Sequence, residues 1–288
     1  MKRLTFCLMV LVPALAYGQR NRDYRSWRVQ DSEKIERTFS FSGGDPRRLV
    51  VDNVEGFVHV TGASGGSVQV SISRQNHAVS DAAMAEAKRD VKLDLNQQGN
   101  TVRAYVDGPF RSGEGGVNYR GDDYYGYRVA FDMEIQVPPD TELVVKAITG
   151  AIEIRRTTGD FTITGVNGGI DMQEVSGSGS VRTVNGPLKV SFTKNPAKQT
   201  DFRSVNGSLD VYFQPGLNAD LAFKTLNGGV YTDFDVVARP TAGTTEIVNG
   251  RNLYRVDRRN MNARTGSGGP ELKFETVNGA IRLRSKGI

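Results

Sequence analysis

The chain has 288 residues but only one cysteine, Cys7, and two histidines, His59 and His77. A single cysteine excludes an internal disulfide framework, so a substantial hydrophobic core must stabilise the fold. The histidines stand apart from any cysteine or spaced carboxylate, and this pattern does not predict a metal site. We therefore expect no metal and no cofactor.

The sequence also has no large excess of charge of one sign and few long apolar runs. The formal net charge is +5 with a pI near 9.3, but without Lys2 and Arg3 the count is 35 basic against 32 acidic residues. The sequence shows neither a basic stripe nor interleaved stacking aromatics, so we do not expect nucleic-acid binding. Beyond Gly18, no apolar stretch is long enough to predict a transmembrane helix, which needs roughly 20 apolar residues.

Motifs of common catalytic sites are missing. The sequence has no Gly-x-Ser-x-Gly elbow, Walker loop, His-Glu-x-x-His or Cys-x-x-Cys. Acidic residues such as Glu153, Asp160, Asp171 and Asp210 alternate with apolar ones, a pattern typical of a solvated strand face. We predict that the protein is not an enzyme. The alternative is a polysaccharide-cleaving β-helix, because stacked carboxylates can reach the spacing that glycosidases use.

Residues 1–18 read as a secretory signal peptide. Lys2 and Arg3 precede an apolar run from Leu4 to Leu15, and small residues follow at Ala16 and Gly18. The run is too short to cross a bilayer. The sequence predicts export to the periplasm or the cell surface, with residues 19–34 as a flexible basic leader.

An aliphatic residue followed by Asn and Gly recurs along the second half of the chain. The residue before Gly stands at positions 149, 167, 185, 206 and 227, which gives steps of 18, 18, 21 and 21. Steps of nearly equal length indicate repeated structural units. The predicted structural corners are Asn167, Gly168, Asn185, Gly186, Asn206, Gly207, Asn227, Gly228, Asn278 and Gly279.

Strict alternation follows most corners, as in Leu209, Val211 and Phe213. Period 2 predicts strands with one buried face, and Asn-Gly can supply the positive φ of a tight turn. The equal steps favour an all-β, right-handed β-solenoid, in which stacked corners allow Asn side chains to bond along the stack. A β-sandwich or hairpin meander remains the alternative.

Two segments depart from the repeat. Residues 81–90 are rich in alanine behind a cap at Ser80 or Asp81, and they predict one short inserted helix. Residues 108–128 combine glycine with aromatic and acidic residues, a composition shared by adaptable binding loops and by plain connectors. The candidate binding residues are Phe110, Tyr119, Asp122, Asp123, Tyr124, Tyr125 and Tyr127.

We expect one domain over residues 35–288. Residues 35–140 would hold the N-terminal rungs with the helix and the loop, and residues 141–288 the regular repeats. Residues 235–270 interrupt the period, and the last copy, residues 272–283, would restore it and cap the stack.

These features together resemble a bacterial domain of unknown function known as a putative adhesin. The resemblance covers about residues 35–288 and depends on Val137–Leu143, which reads Val-Pro-Pro-Asp-Thr-Glu-Leu, and on the repeated Asn-Gly corner. It implies a β-helix-like fold without established catalytic residues. We therefore expect an exported envelope protein that binds a glycan or protein through its rigid faces or loops. A structural envelope protein without a specific ligand is a further alternative.

Overall fold

Two large mixed β-sheets with a shared hydrophobic core make up the structure, which is a computed structural model. It describes residues 27–43, 46–112, 116–118, 122–239, 244–248, 251–255 and 260–287. The predicted signal peptide, residues 1–18, and the first part of the predicted leader lie outside these ranges. The predicted all-β class is confirmed, and two facing sheets are also compatible with the sandwich alternative.

The described residues of the N-terminal part form nine strands and two helices. In chain order these are β1 (Val29–Ser40), β2 (Arg48–Glu55), β3 (Val58–Gly62), β4 (Ser67–Ala78), α1 (Asp81–Asp90), β5 (Lys92–Gln98), β6 (Thr101–Asp107), β7 (Arg111–Ser112), β8 (Gly116–Val117), α2 (Asp122–Tyr125) and β9 (Tyr127–Val137). Helix α1 has the predicted bounds, and Ser80 Oγ caps it by accepting a hydrogen bond from Ala83 N at 3.2 Å. Met84, Ala87 and Val91 are buried and lie on one face of the helix end. The short helix α2 was not predicted.

The predicted leader is wrong from Val29 onwards. Strand β1 begins at Val29 and pairs antiparallel with all of β4, from Val29 opposite Ala78 to Ser40 opposite Ser67. The polar composition of residues 29–34 suggested a solvated tail. As the edge strand of its sheet, β1 needs little apolar surface, because its backbone hydrogen bonds to β4 hold it in place.

The middle of the chain alternates between the two sheets. Its strands are β10 (Glu142–Thr149), β11 (Ile152–Arg155), β12 (Phe161–Asn167), β13 (Ile170–Val175), β14 (Gly179–Asn185), β15 (Leu188–Phe192), β16 (Thr200–Asn206), β17 (Leu209–Phe213), β18 (Ala219–Asn227) and β19 (Val230–Thr232). Each even-numbered strand ends at a corner, and the next strand begins in the other sheet. We call such a pair of strands a unit. Neighbouring units pair parallel and in register, as between Leu188 and Leu209.

The remaining strands are β20 (Val236–Arg239), β21 (Thr244–Val248), β22 (Arg251–Arg255), β23 (Asn260–Thr265), β24 (Glu271–Asn278) and β25 (Ile281–Ser285). Sheet A has the strand order β1-β4-β9-β3-β11-β13-β15-β17-β25-β19, and sheet B has the order β20-β23-β18-β24-β16-β14-β12-β10-β2-β6-β5. Strands β21 and β22 pair with each other in a separate two-stranded sheet. The departure from the period at residues 235–270 thus corresponds to β20–β23.

The last unit does not cap the stack, contrary to the prediction. Strand β24 lies between β16 and β18, and β25 lies between β17 and β19. The unit of β18 and β19, which comes earlier in the chain, is therefore further out. Repeat spacing cannot detect this order, because every unit carries the same corner.

The asparagines of successive corners lie side by side. Asn185 Nδ2 donates to Asn167 Oδ1 at 2.9 Å, Asn206 Nδ2 to Asn185 Oδ1 at 2.8 Å, and Asn278 Nδ2 to Asn206 Oδ1 at 2.8 Å. Asn227 Nδ2 donates in turn to Asn278 Oδ1 at 2.8 Å. We call this row the asparagine ladder. It provides each exposed amide with a partner in the next unit.

The expectation of positive φ at Asn was wrong. Within the described part of the chain, the non-glycine residues with positive φ are Arg156 and Glu174. Gly150 has φ 134°, whereas Gly207 is not among the glycines with positive φ. Gly207 is needed for another reason: a Cβ there would overlap the carbonyl oxygen of Gly186 in the neighbouring unit.

The core runs between the inner faces of the sheets. Phenylalanines from both sheets meet there, with Phe202 and Phe274 stacked at 5.1 Å and Phe202 edge-on to Phe213 at 6.5 Å. Leu209, Val211 and Phe213, whose alternation predicted a buried face, lie in this core, and Leu188, Val190 and Phe223 are buried with them.

Candidate binding surface

The outward positions of sheet A bring charged side chains into one line. Parallel register places equivalent residues of adjacent units directly beside each other. We call the resulting line the charged row; it consists of Glu153, Asp171, Lys189, Asp210, Arg282 and Tyr231. Alternation of the strands puts these side chains on the face opposite the core. The row is therefore a direct product of the repeat.

Ion pairs order part of the charged row. Arg282 Nη1 lies 3.2 Å from Asp210 Oδ1, and Asp210 Oδ2 accepts a hydrogen bond from Ser208 Oγ at 2.9 Å. Glu153 is 3.1 Å from Arg155 Nη2. Lys189 is exposed and, within the described residues, forms no ion pair. The middle of the row thus offers a cation that is available to a ligand.

A groove of about 500 Å³ opens beside the charged row. Its lining includes Gly169 and Pro187, which follow two of the corners, together with Asp171, Lys189 and Tyr212. Carboxylates and an ammonium group can bond to hydroxyl or amide groups, and a tyrosine ring offers an apolar face. This combination suits an uncharged or mixed-charge polymer better than a strongly charged one.

The predicted binding residues of the loop do not form one surface. Phe110 and Tyr127 are buried. Burial raises the pKa of Tyr127 to about 12. Tyr124 is 62% exposed and packs edge-on against the half-buried Tyr125, with ring centroids 5.0 Å apart.

The other three predicted binding residues cannot be placed in the same way. Tyr119 lies outside the described residues. Asp122 and Asp123 lie in α2, but their side chains are outside the described part. The accessible remainder of the predicted set is therefore Tyr124 and Tyr125.

An ion pair that the sequence did not predict fixes one end of this loop. Arg111 Nη2 lies 3.0 Å from Asp52 Oδ1, with only 7% and 14% of the two side chains exposed. The Arg111 guanidinium also stacks over Tyr105 at 4.3 Å, and its Nε donates to Val106 O at 2.8 Å. The spacing of residues along the sequence does not predict this contact, because Asp52 and Arg111 are far apart in the chain. The loop is thus anchored to sheet B at this point.

A second missed pattern supports the corners. Thr183, Ser204 and Thr276 each stand two residues before an Asn, and each donates its hydroxyl to the glycine carbonyl of the neighbouring corner, at 3.1, 3.2 and 3.1 Å. A small or hydroxyl residue two positions before each Asn is the signal that could have revealed them. The corner residues therefore act as scaffold, beside the surface rather than in it.

The histidines do not gather metal ligands. His59 stacks on Phe57 at 4.2 Å and lies 3.4 Å from Glu134. Within the described residues, no group of three or more His, Cys, Asp or Glu side chains is arranged to hold a metal ion. No helix in the same part of the chain is long and apolar enough to cross a membrane.

Comparison with known proteins gives structural likeness only. No family model matches the chain, and no curated protein matches it. A putative cell adhesion protein from Clostridium sporogenes is similar in structure, with 12% identity and a TM-score of 0.44 over 89% of this chain and 100% of the other. A putative adhesin from Bacteroides fragilis has 12% identity and a TM-score of 0.40 over 88% and 97%. A putative lipid binding protein from Parabacteroides distasonis has 10% identity and a TM-score of 0.35 over 87% and 96%.

Proposed function

We propose that the chain is an exported, non-catalytic envelope protein that binds a large ligand, an envelope glycan or protein, along the charged row. In this proposal the units are rungs of a right-handed β-solenoid of adhesin type, and the protein works in the periplasm or at the cell surface. Export is inferred from the signal-like residues 1–18.

The observation that carries the proposal is the extent of the charged row. It crosses six adjacent parallel strands, and a strand spacing of about 4.8 Å gives it a length of about 24 Å. A small molecule would occupy only part of such a line, whereas an extended polymer could contact all of it. The parallel backbone fixes the spacing of the contacts, so little conformational entropy is lost on binding.

Several carboxylates of the described chain are held in the ionised form by neighbouring basic groups. Among the described carboxylates whose pKa is shifted, Asp31, Asp90, Asp160, Asp220 and Glu275, every shift is downwards. Hydrogen bonds from basic side chains drive the decrease, as from Lys198 to Asp160 at 2.7 Å. A lowered pKa keeps these five groups ionised, so none of the five is suited to the general-acid role that a glycosidase requires.

A pull-down against cell-envelope fractions and purified polysaccharides tests the proposal. We expect the double variant Lys189→Ala/Tyr212→Ala to lose most of the captured material, because both side chains line the groove. Lys146→Ala removes an exposed lysine from the opposite sheet and is the matched control, with capture expected at the wild-type level. Equal capture by all three proteins would contradict the proposal. Mass spectrometry of the supernatant checks for released oligosaccharides, which would instead support the glycan-cleaving alternative.

The loop of residues 108–128 is the second candidate surface, because Tyr124 is exposed. Deleting the loop would remove the buried Phe110 and the Arg111–Asp52 ion pair, so lost binding could reflect lost folding. Tyr124→Ala avoids this problem. Capture that depends on Tyr124 but not on Tyr212 would move the binding site to the loop.

A further inference from the structure

The C-terminal unit, β24 and β25, occupies a slot between two units that precede it in the chain. In sheet B, Phe274 lies opposite Phe202 on one side and Phe223 on the other. In sheet A, Ile281 lies opposite Leu209 on one side and Val230 on the other. Both open edges of the slot are thus parallel ladders that this unit completes.

Apolar residues do not distinguish the C-terminal unit from its neighbours. Phe202, Phe274 and Phe223 stand at the same level, with ring centroids 5.1 and 5.4 Å apart. The asparagine ladder likewise has one Asn in each unit from β12 onwards. The unit of β18 and β19 could therefore pack directly against β16 and β17 as far as shape and burial are concerned.

The charged residues of the C-terminal unit are complementary to those on the two walls of the slot. Glu275 lies between two cations: it accepts a hydrogen bond from Arg203 Nε at 3.0 Å, and its Oε1 lies 3.2 Å from Lys224 Nζ. In sheet A, Arg282 pairs with Asp210 across the same boundary. If the slot were closed, Arg203 and Lys224 would stand side by side and repel each other. The walls of the slot therefore select a unit with an acidic residue at this position.

A glycine-rich hinge leads into the slot. Residues 266–270 read Gly-Ser-Gly-Gly-Pro and connect β23 to β24, which pair with opposite sides of β18. They cross the start of β18, since Thr265 lies opposite Ala219 on one side and Glu271 lies opposite Asp220 on the other. Ser267 N donates to Asn218 Oδ1 at 2.8 Å in this closed arrangement. Glycine has a wide range of backbone conformations, so the same residues can also extend away from β18.

We propose that this slot is an exchange site, which can be filled by the C-terminal unit of a second copy of the chain. The hinge opens, the unit leaves its own slot, and the two copies insert their units reciprocally. The pairings of β24 and β25 that are formed within one chain are then formed between two chains, as in other domain-swapped assemblies. If the charged row binds a ligand, the dimer presents two such rows and gains avidity.

Complementary charge variants of the full chain test the exchange. Glu275→Arg places a third cation between Arg203 and Lys224, and Arg203→Glu/Lys224→Glu places Glu275 between two anions. Each variant is mismatched within its own chain. A reciprocally exchanged dimer of the two variants is matched at both slots, because one slot is native and the other fully reversed.

The variants are unfolded, mixed at equal concentration, refolded together and sized by light scattering. We expect the mixture to give mainly a species of twice the monomer mass with the melting temperature of the wild type. Each variant alone should remain mainly monomeric and melt at a lower temperature. As a matched control, Lys146→Glu/Lys194→Glu makes the same charge change at exposed sites away from the slot. A mixture of the two slot variants that stays monomeric would overturn the proposal. Equal dimer formation when Glu275→Arg is mixed with the control variant would overturn it too.

A hinge deletion provides an independent test in the native charge background. Crossing β18 requires at least two strand spacings, about 9.6 Å. Removing Ser267–Pro270 leaves only Gly266 in the hinge, whose two links reach about 7.6 Å and cannot span this distance. Closure within one chain is then disfavoured, and we expect a stable dimer with the wild-type circular dichroism spectrum. A folded monomer would contradict the proposed hinge.

Discussion

Gly207→Ala is the most direct test of the close stacking of units. A Cβ at position 207 would overlap the carbonyl oxygen of Gly186, lie 2.5 Å from its carbonyl carbon and lie 2.9 Å from Ser204 Oγ. Relief requires the two units to move apart by about 1 Å, since non-bonded contacts to carbon optimally lie near 3.5 Å. The hydrogen bonds from Gly186 N to Asn206 O at 3.0 Å and from Leu188 N to Ser208 O at 2.9 Å would lengthen.

Overpacking of this kind costs about 1–3 kcal/mol, and each weakened hydrogen bond adds about 1 kcal/mol. We therefore expect a loss of about 3–5 kcal/mol in the free energy of unfolding, and of more for Gly207→Val. For a chain of this size the melting temperature should fall by roughly 6–20 °C. Urea unfolding followed by circular dichroism measures the loss.

Gly66→Ala is the matched control, because a Cβ there would have nothing within 4 Å. Its free energy of unfolding should stay within about 0.5 kcal/mol of the wild type. If Gly207→Ala were as stable as Gly66→Ala, the reasoning on corner stacking would be refuted.

Two further predictions concern the core and pH. Leu209→Ala removes a fully buried side chain and should cost about 2–5 kcal/mol by urea unfolding, whereas Leu226→Ala, at a half-exposed position, should cost much less; equal losses would contradict the strand register. Desolvation raises the pKa of Glu275, but the hydrogen bonds from Arg203 and Lys224 outweigh it and hold the pKa below the ordinary 4.5. Its stabilisation is therefore complete above pH 4.5 and is lost as pH falls through the folded-state pKa. The stability difference between wild type and Glu275→Gln should shrink below pH 4.5, and a constant difference would argue against the ion-pair set.

Local pattern predicted the strands and the corners well. Alternation at Leu209, Val211 and Phe213 reports a buried face directly, and each Asn-Gly pair of the asparagine ladder marks a change of sheet. The period of the Asn-Gly corners could not predict the position of the last unit in the stack, because the sequence around Asn278 matches that around every other ladder asparagine. The contacts of Glu275 with Arg203 and Lys224 join three segments that are distant in the chain, and repeat spacing does not report them.

The candidate site was only partly predictable. Alternation along the strands puts Lys189, Tyr212, Tyr231 and Arg282 on the side opposite the buried residues, and their repeat positions place them on one face of sheet A. Composition alone suggested residues 108–128 as a binding loop, but it cannot separate an exposed aromatic ring from a buried one. Phe110 and Tyr127 are core residues because of contacts formed with distant strands.

Hydroxyl-radical footprinting with the captured envelope ligand tests the central claim most directly. Tyr212 and Tyr231 mark the surface proposed to bind, and Tyr124 is an internal control that is 62% exposed. We predict a several-fold decrease in the oxidation of Tyr212 and Tyr231 on ligand binding, with Tyr124 unchanged. Protection of Tyr124 with Tyr212 and Tyr231 still oxidised at the free-protein rate would contradict the assignment of binding to the charged row.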